Sequence, residues 1–402
     1  MTNNLTEMTL EELLALKDVT KKTVVNFGGK SQSYKILINA GYGALANIWM
    51  RWFSNVVAES ITLSGQMSIK WVEKSVNEFL NRVLGTTDVD YVVAIDTDSI
   101  YVRLDEVVDH VFKGKEPTED EIVTFLEKFS DKLQDNIQNS LEGLYKSTNA
   151  FDKKLFMAIE AIGPAIWVAK KRYVMSLPSY KKVRYNPPKI KIQGIDAVRS
   201  STPAICREYI KKCIPLLIEG DRRKVREYID ACRADFMQHP YEDVAFPRGT
   251  NELEKYMDAA KIYGKKCPPH VRGALLYNHL LKEMKLTNKL PTIKSGDKVR
   301  FCYMKLPNPL MENIFAAPDT LPSELGMDDF IDYSKQFEKS FFIPLKKIID
   351  AAEIDLNDAI DISQFLTGVM KSYKPEKEDF DEDDEFLYEE GTEEDDVYEL
   401  YG

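Results

Sequence analysis

Two aspartates separated by one residue, Asp96 and Asp98, have a spacing that could support catalysis. Alternate residues of an extended chain face the same side, so both carboxylates can converge on one hard cation. Two such cations held about 4 Å apart can activate a hydroxyl group and stabilise a leaving phosphate oxygen. Aspartate and serine are also ordinary turn residues, so a purely structural hairpin tip is the alternative interpretation.

A second candidate site combines an ammonium group, an amide and an aromatic ring. Lys35, Asn39 and Tyr42 recur at helical spacing and share one face, and Gly43 beside them leaves room for close approach. Such a face could hold a triphosphate and pack against a nucleotide. The alternative is a solvated helix face.

A third candidate is a basic stretch, residues 161–195, which contains eight Lys and Arg residues and no acid. A cluster of positive charges without neighbouring acids attracts phosphates, and tyrosines interleaved with the basic residues can pack against a sugar-phosphate backbone. We therefore expect it to bind nucleic acid, although a solvated basic surface has the same composition. The candidate residues are Lys170, Lys171, Arg172, Tyr173, Lys189 and Lys191.

The net charge of −11 is unevenly distributed along the 402 residues. Residues 376–402 hold 15 acids and one lysine, which leaves residues 1–375 at +3. The composition, 44% hydrophobic and 30% charged, is typical of a globular protein with two or three domains. The sequence contains no run of about 18 apolar residues and no metal-ligand spacing among its cysteines and histidines. We expect no membrane span and no zinc site.

The periodicity of the sequence predicts an α+β order of elements around these candidates. A hairpin over residues 91–102 carries both aspartates, and a long helical segment interrupted near Phe27-Gly28-Gly29 carries Lys35. The further predicted helices cover 59–84, 118–144, 202–256, 271–284 and 323–352, and the further strands 167–177, 183–192 and 298–304.

Five motifs in this order resemble family B DNA polymerases, in particular the replicative polymerases of T-even-like bacteriophages. They are KILINAGYG, IDTDSIYV, AKKRY, KIKIQGIDAVRSSTP and KCPPHVRGALLYN. The resemblance implies part of a right-hand polymerase fold, namely an antiparallel palm sheet with helices, one fingers helix region and a mainly helical thumb. The implied domains are the C-terminal part of the fingers (1–47), the palm (48–193), the thumb (194–373) and a disordered acidic tail (374–402).

The resemblance also implies an activity, nucleotidyl transfer from a dNTP to a primer 3′-hydroxyl, in the cytoplasm of a phage-infected host. Asp98 and Asp96 would hold two magnesium ions, with Glu160 as a palm carboxylate close to them. Lys35 would contact the triphosphate, and Asn39, Tyr42 and Gly43 would line the nascent base-pair pocket. The implied primer-template contacts are Lys170, Lys171, Arg172, Tyr173, Lys189, Lys191, Arg272 and Tyr277.

The sequence departs from the family at several points. Ala40-Gly41 stands where the family usually has Ser-Leu, and Ala94-Ile95 where it has Tyr-Gly. The D-x-x-S-L-Y-P-S motif with the other catalytic aspartate, the first fingers helix and the exonuclease region have no counterpart. We therefore expect the C-terminal subunit of a split polymerase that an N-terminal partner chain completes. The alternatives are a non-catalytic protein that binds DNA and tethers it to a clamp, and an unrelated two-metal nuclease.

The C-terminal peptide suggests a further partner. The phage relatives end in a short apolar and aromatic peptide that docks on the sliding clamp, and Val397, Tyr398, Leu400 and Tyr401 are similar in pattern. The preceding acidic residues would act as a self-repelling tether. A solubilising tail is the alternative interpretation.

Overall fold

The structure is a computed structural model, which describes residues 8–258, 261–356 and 398–399. It contains helices and antiparallel sheets, so the predicted α+β class is confirmed. The chain divides into two compact units, residues 1–117 with 128–158, and residues 118–127 with 159–402. None of the helices in the described ranges is long and apolar enough to cross a membrane.

The first unit begins with a helix of 37 residues, α1 (Leu10–Ala46). Thr9 and Glu12 form a capping box at its start, and hydrogen bonds from Thr9 hold the pKa of the Glu12 carboxyl below its usual value. The predicted break at Phe27-Gly28-Gly29 is wrong, because α1 continues through it. A glycine weakens a helix by only about 1 kcal/mol and keeps its backbone N–H, so two glycines do not end a long helix.

The helix α2 (Asn55–Leu84) follows and ends, as predicted, at Gly85, which adopts the left-handed conformation. Strands β1 (Val92–Asp96) and β2 (Ser99–Val102) then form the predicted hairpin. Asn77 anchors the start of this hairpin to α2, because its amide donates to Asp90 Oδ1 and accepts from the Tyr91 N–H, both at 2.8 Å.

Two further helices, α3 (Asp105–Val111) and α4 (Glu119–Ser147), follow the hairpin. Within the first unit, α4 packs on α2 through polar contacts as well as apolar ones. The Trp71 indole N–H donates to the carbonyl oxygen and the hydroxyl of Ser140, at 3.0 and 2.9 Å. The packing of α4 therefore stabilises α2, the helix to which Asn77 anchors the β1–β2 hairpin.

The second unit contains an antiparallel sheet built around β5 (Arg172–Tyr180) and β6 (Val183–Gln193). The shorter strands β3 (Ala161–Ile162) and β4 (Ala165–Ala169) also pair with β5. Arg184 joins this sheet to the first turns of α4, pairing with Asp120 at 3.1 Å and with Glu127 at 2.8 Å. Eight of the nine residues of β5 are buried, so this strand lies in the core of the second unit.

Helices dominate the rest of the second unit, as predicted. The segment expected to be helical over 202–256 is interrupted by a strand, β7 (Phe246–Gly249), and a further strand, β9 (Ile314–Ala317), was not predicted. Both pair with the expected strand β8 (Lys298–Tyr303) in a three-stranded sheet. In order, the remaining elements are α5 (Ala204–Glu219), α6 (Arg222–Phe236), α7 (Tyr241–Val244), β7 (Phe246–Gly249), α8 (Leu253–Tyr256), α9 (Pro269–Glu283), β8 (Lys298–Tyr303), β9 (Ile314–Ala317), α10 (Tyr333–Phe337) and α11 (Ile343–Ala351).

Gly273 on α9 allows the close packing of that helix on β9. A Cβ atom at this position would lie 2.7 Å from the Ala316 backbone nitrogen. We predict that Gly273→Ala lowers the free energy of unfolding by about 1–3 kcal/mol, because the sheet must move to admit the methyl group. Urea denaturation followed by circular dichroism measures the change.

The matched control is Gly249→Ala in β7 of the same sheet, where a Cβ atom would meet nothing within 4 Å. This variant should stay within about 0.5 kcal/mol of the parent chain or exceed it. Equal losses for the two variants would contradict the packing explanation.

Candidate active site and nucleic-acid interface

Asp96 and Asp98 lie at the tip of the β1–β2 hairpin. Asp96 is the last residue of β1 and pairs with Ser99, whereas Asp98 lies in the two-residue turn and is exposed. Thr97 between them has a φ of 53°, so the chain is not extended here and strand alternation does not align the carboxylates. A tight turn places them at the same end of the hairpin instead. The Ser99 hydroxyl supports this turn by donating to the Asp96 carbonyl oxygen at 3.1 Å.

Carboxylate oxygens are ligands that magnesium prefers, so the chemistry of this pair fits the implied metal. Within the described part of the chain, no three His, Cys, Asp or Glu side chains group closely enough to hold a metal ion. Glu160 belongs to the second unit, where it accepts a hydrogen bond from the Tyr180 hydroxyl at 3.3 Å and lies 3.8 Å from Lys181 Nζ. A complete ligand set therefore needs a group from outside the hairpin.

Lys35, Asn39 and Tyr42 lie on the exposed surface of α1, where helical spacing gives them a common face. The Tyr42 hydroxyl shares a hydrogen bond of 2.7 Å with Thr62 Oγ1 on α2, which holds the ring in place. A Cβ atom at Gly43 would meet nothing within 4 Å, so the surface beside these residues is open. The face that Lys35, Asn39 and Tyr42 share is therefore open to solvent.

None of the residues of α1 is buried, although the helix carries many apolar side chains. Val24, Phe27, Tyr34 and Ile38 lie at spacings of three, seven and four, and we call this row the α1 stripe. Their exposed fractions range from 64% to 74%. The loop after α1 adds Trp49, which is 88% exposed. A large exposed apolar surface of this kind marks an interaction site.

The basic stretch is only partly available for binding. Lys170 and Lys171 are exposed at the turn between β4 and β5, and Arg172 and Lys191 are partly exposed. Tyr173 is 1% exposed, with its ring 4.5 Å from that of Trp167. Its hydroxyl donates to Gln193 at 2.9 Å, and the ammonium of Lys191 lies 5.9 Å from the centre of its ring.

The structure corrects the expectation of direct DNA contact for three side chains. Besides Tyr173, Lys189 is buried and its ammonium lies 4.6 Å from the centre of the Tyr180 ring. Tyr277 is fully buried on the core face of α9, where its hydroxyl donates to the Pro291 carbonyl oxygen and burial raises its pKa. These side chains support the surface from within.

Arg272 on α9 is partly buried and occupied by contacts within its own chain. Its guanidinium donates to Asn313 Oδ1 at 3.0 Å and lies 5.7 Å from the centre of the Tyr263 ring.

Sequence reasoning missed the α1 stripe. Its signal was present in the row of apolar residues at helical spacing, which was interpreted only as evidence for a helix. The candidate clamp residues Val397, Leu400 and Tyr401 lie outside the described residues. Tyr398 belongs to a two-residue strand, β10 (Tyr398–Glu399), which pairs with Ile192 and Lys191 of β6.

Comparisons with known proteins agree with this arrangement. Residues 8–351 match the profile of DNA polymerase family B. The DNA-directed DNA polymerase of Escherichia phage RB69 is 34% identical over 335 residues, which are 80% of this chain and 37% of that protein. The DNA-directed DNA polymerase of Enterobacteria phage T4 is 31% identical over 380 residues, 91% of this chain and 42% of that protein.

The chain thus spans less than half the length of these relatives, and the match includes α1, the aspartate hairpin and the basic strands. A profile match over most of the chain establishes its family. This chain is a member of DNA polymerase family B.

Proposed function

We propose that this chain is the C-terminal subunit of a split DNA-directed DNA polymerase. The observation that carries the proposal is the aspartate pair at a hairpin tip, with Asp96 partly buried and Asp98 exposed, in the same unit as the open face of α1 that bears Lys35. The reaction joins the primer 3′-hydroxyl to the α-phosphate of a dNTP, and pyrophosphate leaves.

Asp96 and Asp98 would hold two magnesium ions, together with a carboxylate from the partner chain. Bound magnesium would supply positive charge at the attacking and leaving oxygens. The positive charge of the Lys35 ammonium group offsets the charge of the triphosphate. Asn39 and Tyr42 fix the position of the incoming nucleotide, which makes the reaction effectively unimolecular.

The exposed part of the basic stretch is proposed to hold the primer-template. Lys170, Lys171, Arg172 and Lys191 offer charged donors to phosphate oxygens, which fix the register of a duplex without reading its sequence. Arg272 is proposed to add a contact from α9. Tyr173 and Lys189 hold β5 and β6 in place beneath this surface.

The proposed partner is an N-terminal polymerase half, which carries the exonuclease and the remaining catalytic aspartate. Two observations support it, the incomplete ligand set of the hairpin and the uncovered α1 stripe. Burial of one large apolar side chain contributes about 1.5–3 kcal/mol. Covering the four side chains of the stripe would therefore stabilise the assembled form substantially.

We predict that the purified chain alone extends primers poorly and that adding the N-terminal half restores synthesis. The reason is that two carboxylates cannot hold both ions in place. Primer extension by each chain and by their mixture measures this. Equal activity of the single chain and the mixture would show that no partner is needed.

Variants of α1 test where the partner binds. Phe27→Ser with Ile38→Ser should weaken association with the N-terminal half at least tenfold, since about 1.4 kcal/mol corresponds to that factor. The matched control is Val25→Ser with Ile36→Ser, two equally exposed positions about 160° away around the helix. Similar losses for the two double variants would exclude the stripe as the contact.

A catalytic role is distinguished from DNA tethering by Asp98→Ala. In the assembled pair, we expect primer extension to fall by a factor of at least about 10³, while DNA affinity stays constant or rises because a negative charge is removed. Gel extension assays and fluorescence anisotropy measure the two quantities. Unchanged synthesis would instead favour the non-catalytic alternative, a clamp-tethering DNA-binding protein.

The C-terminal peptide is proposed to dock on a sliding clamp. Deletion of residues 397–402 should abolish stimulation of synthesis by the clamp and leave synthesis without the clamp unchanged. Replacing Asp395 and Asp396 by Asn provides a control that keeps the apolar side chains. Full stimulation of the truncated chain would contradict this proposal.

A further inference from the structure

The face of α1 that bears Lys35 and Asn39 is repeated near the start of the helix. Lys17 lies 18 residues before Lys35, and Lys21 lies 18 residues before Asn39. Eighteen residues are five full turns of an α-helix, so the two pairs have the same orientation about 27 Å apart. All four residues are exposed, and α1 is unbroken between them.

No ion pair within the described structure neutralises the two lysines near the start of α1. Lys17 and Lys21 form no ion pair with any described residue, whereas Lys224 and Arg184 in the second unit each pair with two carboxylates. Two lysines four residues apart repel each other and weaken an isolated helix by about 0.2–0.5 kcal/mol. An anionic ligand would offset this cost.

The surface between the two pairs is open. Gly28 lies on the same face, and a Cβ atom there would meet nothing within 4 Å. Two members of the α1 stripe, Phe27 and Ile38, lie about 60–80° from Lys17 around the helix, whereas Val24 lies only about 20° from it. Lys21 lies about 100–140° around the helix from Phe27, Tyr34 and Ile38, so a partner that covers these three side chains leaves Lys21 accessible.

We propose that Lys17 and Lys21 bind the phosphates of single-stranded template DNA. A ligand that spans about 27 Å along a helix must be an extended polyanion, and a nucleic acid strand carries a charge at least every several ångströms. The inference rests on the proposed function, in which Lys35 and Asn39 face the nucleotide being inserted. The strand that continues along α1 from that point is the template not yet copied.

The test measures binding of the full chain to primer-templates whose single-stranded 5′ overhang is about 20 or about two nucleotides long, because only the longer one outreaches α1. Lys21→Ala should weaken binding to the long overhang about threefold, and Lys17→Ala with Lys21→Ala about tenfold. The slope of log affinity against log salt should fall by about 0.7 and 1.4, since each single-strand phosphate contact contributes about 0.7. Affinity for the short overhang should not change.

The matched control is Lys22→Ala, which removes the same charge from the adjacent position, about 100° around the helix. An equal loss for this control, or equal losses with both overhangs, would overturn the proposal. If the double variant weakened binding of the N-terminal half and left DNA binding intact, the lysines would contact an acidic protein surface, which also overturns it.

A different experimental result would show that the proposed polymerase function is wrong. A reconstituted pair that extends no primer, but whose DNA binding still depends on overhang length through Lys17 and Lys21, would contradict the polymerase assignment and support the template site.

Discussion

Apolar surface that the chain does not cover is the constraint on which the proposed enzyme depends. All 37 residues of α1 lie outside the core, and its stripe leaves aromatic and branched side chains in water. In the proposed complex, a partner that covers the stripe would hold in position the helix that bears Lys35. Binding energy at the stripe would favour the assembled form by mass action, so that nucleotide binding and assembly are coupled. Under this proposal, polymerase activity would depend on complex formation.

In the second unit, by contrast, the apolar side chains of the sheets are buried within the unit itself. Its strands β5 and β6 and its three-stranded sheet have well-filled cores, and even residues of the basic stretch contribute to them. Tyr173 and Lys189 keep their polar ends engaged while burying their apolar parts. The basic surface is therefore rigidly mounted, which suits a role in keeping a duplex in register. The second unit is well packed, and the first unit exposes its candidate functional groups and the α1 stripe.

The sequence predicted those features that depend on local pattern. The capping box of α1, the end of α2 at Gly85 and the hairpin around Asp96 follow from capping chemistry and periodicity, and all are present. The supposed break in α1 failed because glycine is a weak breaker. Burial of Tyr277 was missed because a basic, aromatic segment does not reveal which helix face meets the core. Contacts such as Arg184 with Asp120, 64 residues apart, carry no local signal.

The charge of the hairpin tip bears on the choice between catalysis and tethering. A protein that only holds DNA gains affinity from each positive charge and loses it from each negative charge near the phosphates. Asp98 is exposed in a turn, where nothing in the packing requires a carboxylate. Its repulsion from a phosphate becomes attraction only when a divalent cation lies between them. If the tip approaches a triphosphate, as proposed, its two aspartates would favour an enzyme that binds magnesium and would weaken DNA binding by a tether.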